Sequence, residues 1–186
     1  LPLLKDLGAS WVSCVSPQHA GIPEYFLAPL VEMGIQPVIH FPLQSILTNC
    51  LPEMRLLLHT YAKWGVRYAT FFEHPNQQDQ WPPSRWAQGE LVENFLNHYI
   101  PFASAAHAEG IQPVFPPLQA GGDYWDLVFL QSCLRSLSKR SEHLLLDNFT
   151  LGAQATMIHP DPQWGAGGPA RWPSSKPYTT PEGSQD

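Results

Sequence analysis

Apolar positions along the chain switch between two periods. Met54, Leu57, Leu58, Tyr61 and Ala62 recur at i, i+3, i+4, i+7 and i+8, one stripe of an amphipathic helix. Residues 66–72 (VRYATFF) follow and read as a buried strand. Val92, Phe95, Leu96, Tyr99, Phe102, Ala103 and Ala106 form a longer helical stripe, and residues 111–115 form the next strand. Pro101 falls inside that second stripe and predicts a kink or a break, because proline removes an amide donor and crowds the preceding turn.

One punctuation recurs four times: helix end, glycine, short apolar strand. The glycines are Gly8, Gly34, Gly65 and Gly110, each suited to the left-handed conformation just past a helix C-terminus. Two of these junctions share Gly-Ile-Gln-Pro-Val, at residues 34–38 and 110–114, which points to a structural repeat. Strands are predicted at residues 11–16, 37–41, 67–72, 113–115 and 154–159, and helices at 23–33, 52–64, 91–109 and 123–139, with Asp123 as the N-cap of the last. Alternating strands and helices with apolar strands imply an α/β fold with a parallel sheet, either a barrel or a doubly wound open sheet. No Gly-x-Gly-x-x-Gly or P-loop pattern occurs, so dinucleotide and nucleotide-phosphate sites lose support. Residues 160–186 lose all periodicity. They carry six prolines and four glycines, with Trp164, Trp172 and Tyr178 among them, and read as a Pro/Gly-rich loop or arm lying against a surface. The chain divides accordingly into a patterned domain, 1–159, and this tail.

Composition narrows the functional classes. The net charge of −6 and the low charged fraction of 14% argue against nucleic acid, whose phosphates call for a basic stripe. Proline is about twice as common as usual, at 20 of 186 residues, which excludes a coiled coil or simple helical bundle. Three scattered cysteines, Cys14, Cys50 and Cys133, offer neither a zinc-type pair nor a disulfide framework, and buried free thiols are expected. No apolar run approaches the roughly 18 residues of a membrane span. No cofactor is called for.

Parallel α/β folds gather their chemistry at the carboxyl ends of the strands. The polar residues predicted there are Ser16 and Gln18, His40 and Gln44, Glu73 with His74 and Asn76, Gln119 with Asp123, and His159 with Asp161. His40, His74 and His159 could together hold a divalent ion, a reading ranked below the one that follows because no spacing supports it. The densest cluster is Phe71-Phe72-Glu73-His74-Pro75-Asn76, followed by Trp81 and Trp86.

That cluster resembles a motif of the bacterial retaining glycoside hydrolases built on a (β/α)₈ TIM barrel. Their fourth strand ends in Asn-Glu-Pro-Asn. The resemblance runs from about Leu4 to Pro162 and takes in Leu7-Gly8-Ala9-Ser10-Trp11-Val12, both Gly-Ile-Gln-Pro-Val junctions and Ala120-Gly121-Gly122-Asp123-Tyr124. It implies an incomplete barrel of about five strands. With Pro75-Asn76 aligned, His74 stands at the acid/base position and Glu73 one place before it. The His-x-Tyr pattern common at the sixth strand is missing from Ala153-Gln154-Ala155, and the strand bearing the nucleophile has no counterpart. Retaining hydrolysis needs two carboxyl groups about 5–5.5 Å apart. Strict strand alternation would also send Glu73 away from the side His74 faces.

Glu73 and His74 are thus the candidate catalytic pair of a degenerate site. His40, Asn76, Trp81, Trp86, Asp123 and His159 are candidate carbohydrate contacts. For the two tryptophans, stacking on sugar rings and anchoring a proline-rich loop are equally supported. The expected function is a non-catalytic, hydrolase-like carbohydrate binder. The alternatives are an interaction subunit whose open barrel edge is covered by a protein partner or a second copy, or an active glycosidase completed by strands of a longer parent. The resemblance also implies an extracellular or cell-surface setting.

Overall fold

The computed structural model describes residues 2–17, 20–43, 50–86 and 89–153. In chain order the elements are α1 (Pro2–Asp6), β1 (Trp11–Val15), α2 (Glu24–Glu32), β2 (Gln36–Phe41), α3 (Leu51–Lys63), β3 (Tyr68–Phe71), α4 (Pro83–Trp86), α5 (Leu91–Ala108), β4 (Gln112–Phe115), α6 (Asp126–Lys139), α7 (His143–Asp147) and β5 (Thr150–Leu151). A 3₁₀ turn, Gln78–Gln80, lies between β3 and α4. All five strands are parallel and stand in the order β1-β2-β3-β4-β5. A doubly wound sheet reverses its strand order at a switch point. This sheet never does, so it winds in one direction only, as a barrel does.

Each strand alternates between two layers. Ile39 and Phe41, Ala69 and Phe71, and Phe115 are fully buried on one face. Their rings meet helix residues there: Phe41 stacks on Tyr61 of α3, Phe71 meets Phe102 of α5, and Phe115 meets Phe95 and Tyr99. The register sets the opposite face in rows. Ser13, Val38, Tyr68 and Gln112 form one row, and Val15, His40, Thr70, Val114 and Thr150 the next. Trp11 and Val15 on that face are 56% and 59% exposed, so among the described residues it carries no covering layer at its β1 edge.

The α5 stripe is buried as its period requires, and the helix runs unbroken through Pro101. That corrects the expected break. Pro101 sits on the exposed side of α5, where water can serve the Asn97 carbonyl it leaves unpaired, while nine buried residues hold the helix in place. The last strand is the two-residue Thr150–Leu151, paired to Val114 and Phe115. The stretch expected as a strand at 154–159 lies outside the described residues, as does the tail.

All four punctuating glycines have positive φ, and each junction makes the same pair of hydrogen bonds. At Gly65 the amide donates to the Ala62 carbonyl at 3.0 Å and the Val66 amide to the Tyr61 carbonyl at 3.1 Å, a Schellman closure. The end of α6 repeats this with serine: the Ser141 amide reaches Ser138 and the Glu142 amide reaches Leu137, with Ser141 at φ 59°. A non-glycine residue there bears a Cβ clash that glycine avoids. Ser141→Gly is therefore expected to stabilise the fold by about 1 kcal/mol, read as a higher midpoint in urea unfolding with an unchanged slope.

Candidate functional site

At the carboxyl ends of the strands, hydrogen bonds tie the loop after β3 to the loop after β4 and to the end of β2. Regular pairing continues past β3, with the Phe72 amide donating to the Phe41 carbonyl at 3.0 Å. Alternation stops there. Phe72 should share the face of Thr70, but at φ 70° its ring turns to the helix side with Phe71. It makes edge contacts with Phe95 and Phe102 at 5.8 and 5.7 Å and is 2% exposed. Two bulky aromatics are thus buried in succession, and that burial sustains a backbone conformation costing about 1–2 kcal/mol for an L-residue. The premise that Glu73 and His74 must face opposite sides fails with the alternation. Glu73 is exposed, whereas His74, at φ 42°, is half-buried and its amide donates to the Pro117 carbonyl at 3.2 Å.

The turned backbone presents the Phe72 carbonyl to His40 on β2. Nε2 of His40 lies 3.1 Å from that oxygen. A carbonyl only accepts, so Nε2 carries the hydrogen, and Nδ1 is the acceptor of the neutral ring. Beneath this rim the first loop is locked through Ser16, which is fully buried. Its hydroxyl lies 2.8 Å from the Tyr61 hydroxyl, and the Ile22 amide donates to that same oxygen at 2.7 Å.

Asn76 is wholly enclosed and joins the β3 and β4 loops. Its Nδ2 donates to the carbonyls of Gln119 at 2.8 Å and Tyr124 at 2.9 Å, and its Oδ1 accepts from the Gln119 amide at 2.9 Å. Both amide hydrogens are used within the protein, leaving no donor for a sugar. Gly122 is part of the same fit: a Cβ there would stand 2.5 Å from Asn76 Nδ2. Trp81 and Trp86 are 6% and 7% exposed, and Trp81 Nε1 donates to the Pro75 carbonyl at 2.7 Å. Both tryptophans are anchors of the loop between β3 and α5, with their rings covered rather than offered to a ligand. Asp123 does not cap α6, which begins at Asp126; its Oδ2 instead accepts from the Gln78 amide at 2.9 Å, opening the 3₁₀ turn.

Of the expected site residues the structure gathers His40, Glu73, His74, Asn76, Trp81, Trp86 and Asp123 around one end of the sheet. His159, with Asp161, Gln18 and Gln44, lies outside the described residues. Among the described residues no three His, Cys, Asp or Glu side chains are placed to hold a metal ion. Cys14, Cys50 and Cys133 are all buried, and burial pushes Cys14 and Cys50 above the usual thiol range. The turn at Phe72 escaped the sequence reading. Its one signal is the Phe71-Phe72 doublet, since alternation would leave one of those rings uncovered by helices.

No helix among the described residues is long and apolar enough to cross a membrane. The chain matches no known protein-family model, and no curated protein sequence matches it.

Proposed function

We propose that the protein is a glycoside-hydrolase-like domain on a partial (β/α) barrel that binds carbohydrate without cleaving it. The observation that carries the reading is the rim itself. His40, held in one tautomer by the Phe72 carbonyl, shares the carboxyl end of the sheet with exposed Glu73 and half-buried His74, above loops already locked by Asn76 and Tyr61. Sugar hydroxyls donate, which suits an imidazole acceptor and a carboxylate at the same rim. Preorganisation of this kind lowers the ordering cost of binding. Cleavage by the retaining route lacks support, because of the candidate carboxylates Glu73 and Asp123 the second is spent on a loop amide.

Titration calorimetry against a panel of oligosaccharides tests the proposal. At least one sugar should bind, and His40→Ala and Glu73→Gln should each weaken it about tenfold, near 1.4 kcal/mol, with unfolding midpoints little changed. A panel without any binder sinks the reading.

The uncovered edge of the sheet favours a second reading, an interaction subunit whose exposed Trp11 and Val15 meet a partner. A monodisperse monomer in solution scattering would count against it.

A further inference from the structure

The sheet face opposite the helices is built like a docking surface. Toward β1 it presents Trp11, Ser13, Val15, Val38 and Tyr68, with Thr70 and Val114 buried farther along, and among the described residues it bears no formal charge apart from His40 in its upper row. Trp11 of β1 and Tyr68 of β3 reach over the intervening strand to meet edge-on, with ring centroids 5.0 Å apart, yet Trp11 stays 56% exposed. Two polar atoms of this face, Gln36 Nε2 and Thr70 Oγ1, are buried with no hydrogen-bond partner among the described residues. All-parallel sheets occur almost only with both faces covered.

We propose that this face is the docking surface for the proline-rich segment 160–181 of the same chain. Three observations select that occupant. First, the described residues end at Ala153, just past the edge strand β5, so the segment is tethered to the sheet and its docking is intramolecular. Second, the reach suffices. Crossing five strands takes about 19 Å, and the stretch from Ala153 to Pro160 spans up to about 25 Å when extended. Third, the chemistry matches. Proline-rich segments bind aromatic surfaces at low entropic cost, and this one combines six prolines with Trp164, Trp172 and Tyr178 and only Asp161, Arg171 and Lys176 as charges.

Photo-cross-linking in the full-length chain tests this. Ser13→benzoylphenylalanine and, as a second probe, Val15→benzoylphenylalanine sit on the face. Leu127→benzoylphenylalanine, on the exposed side of α6, is the control. The expected result is an intrachain cross-link from positions 13 and 15 to peptides within 160–181. Its yield should be at least fivefold that from position 127 and should fall severalfold when Trp11→Ser is added. Cross-links of twice the chain mass would assign the face to a second copy and overturn the proposal. Absence of tail cross-links from positions 13 and 15, or equal yield from position 127, overturns it as well. Sugar binding at the rim is read separately by calorimetry, so either idea can fail alone.

Discussion

Asn76→Ala should destabilise the protein by about 2 kcal/mol, because it strands two backbone groups at roughly 1 kcal/mol each. The groups are the Gln119 amide and the Tyr124 carbonyl, both now satisfied by one fully buried side chain, whereas the Gln119 carbonyl keeps the Gly122 amide as a donor. Thermal unfolding should show a midpoint about 4–8 °C lower. Asn76→Asp sharpens the test. It keeps an acceptor for the Gln119 amide but turns a carboxylate oxygen toward the Gln119 and Tyr124 carbonyls, to which it cannot donate, so its loss should equal or exceed that of alanine. If the aspartate variant were as stable as the parent, the hydrogen-bond assignment would be wrong. Hydrogen exchange would separate latch from core: amides of the β3 and β4 loops should open more easily, whereas those of α3 should not.

Phe95→Ala should cost more, about 3–5 kcal/mol. Phe95 is fully buried in α5, and its ring meets Phe72, Tyr99, Phe115 and Phe129 at centroid distances of 5.5 to 5.8 Å. It therefore ties β3, β4 and α6 to a single helix. Removing it opens a cavity whose walls belong to three elements, which limits how far they can collapse into it. Phe95→Leu should lose well under half as much, since most of the volume is kept. Urea unfolding with a common slope distinguishes the two, and an alanine variant within 1 kcal/mol of the parent would remove Phe95 from the centre of the core. A further consequence concerns Phe72. Its positive φ is sustained by burial against Phe95, so loss of that ring should also loosen the backbone that orients His40.

The repeating architecture was readable from the chain because each unit states itself locally. The α3 and α5 stripes name their buried faces, and four glycines mark four Schellman closures at the right residues. The fifth closure went unseen because Ser141 adopts a glycine-like conformation without glycine's signature. β5 went unread for a related reason: two residues are too few to show a period. At the site, residue types pointed to the correct end of the sheet but not to roles. Nothing in the order of residues says that Asn76 and Asp123 spend their polar groups on neighbouring loops. Those partners are as far away in the chain as Gln119 and Tyr124, and only folding brings them near.

The strand order has a consequence for how the molecule is made. Every strand pairs only with its neighbours in sequence, through right-sized local crossovers, so no segment must wait for a distant one. Such a sheet can be assembled vectorially as the polypeptide emerges, one helix-and-strand unit at a time. At each stage of synthesis the newest strand presents an unpaired edge for the unit still inside the ribosome. The same order that simplifies folding thereby leaves each newly formed strand with an adhesive edge at the growing end of the chain.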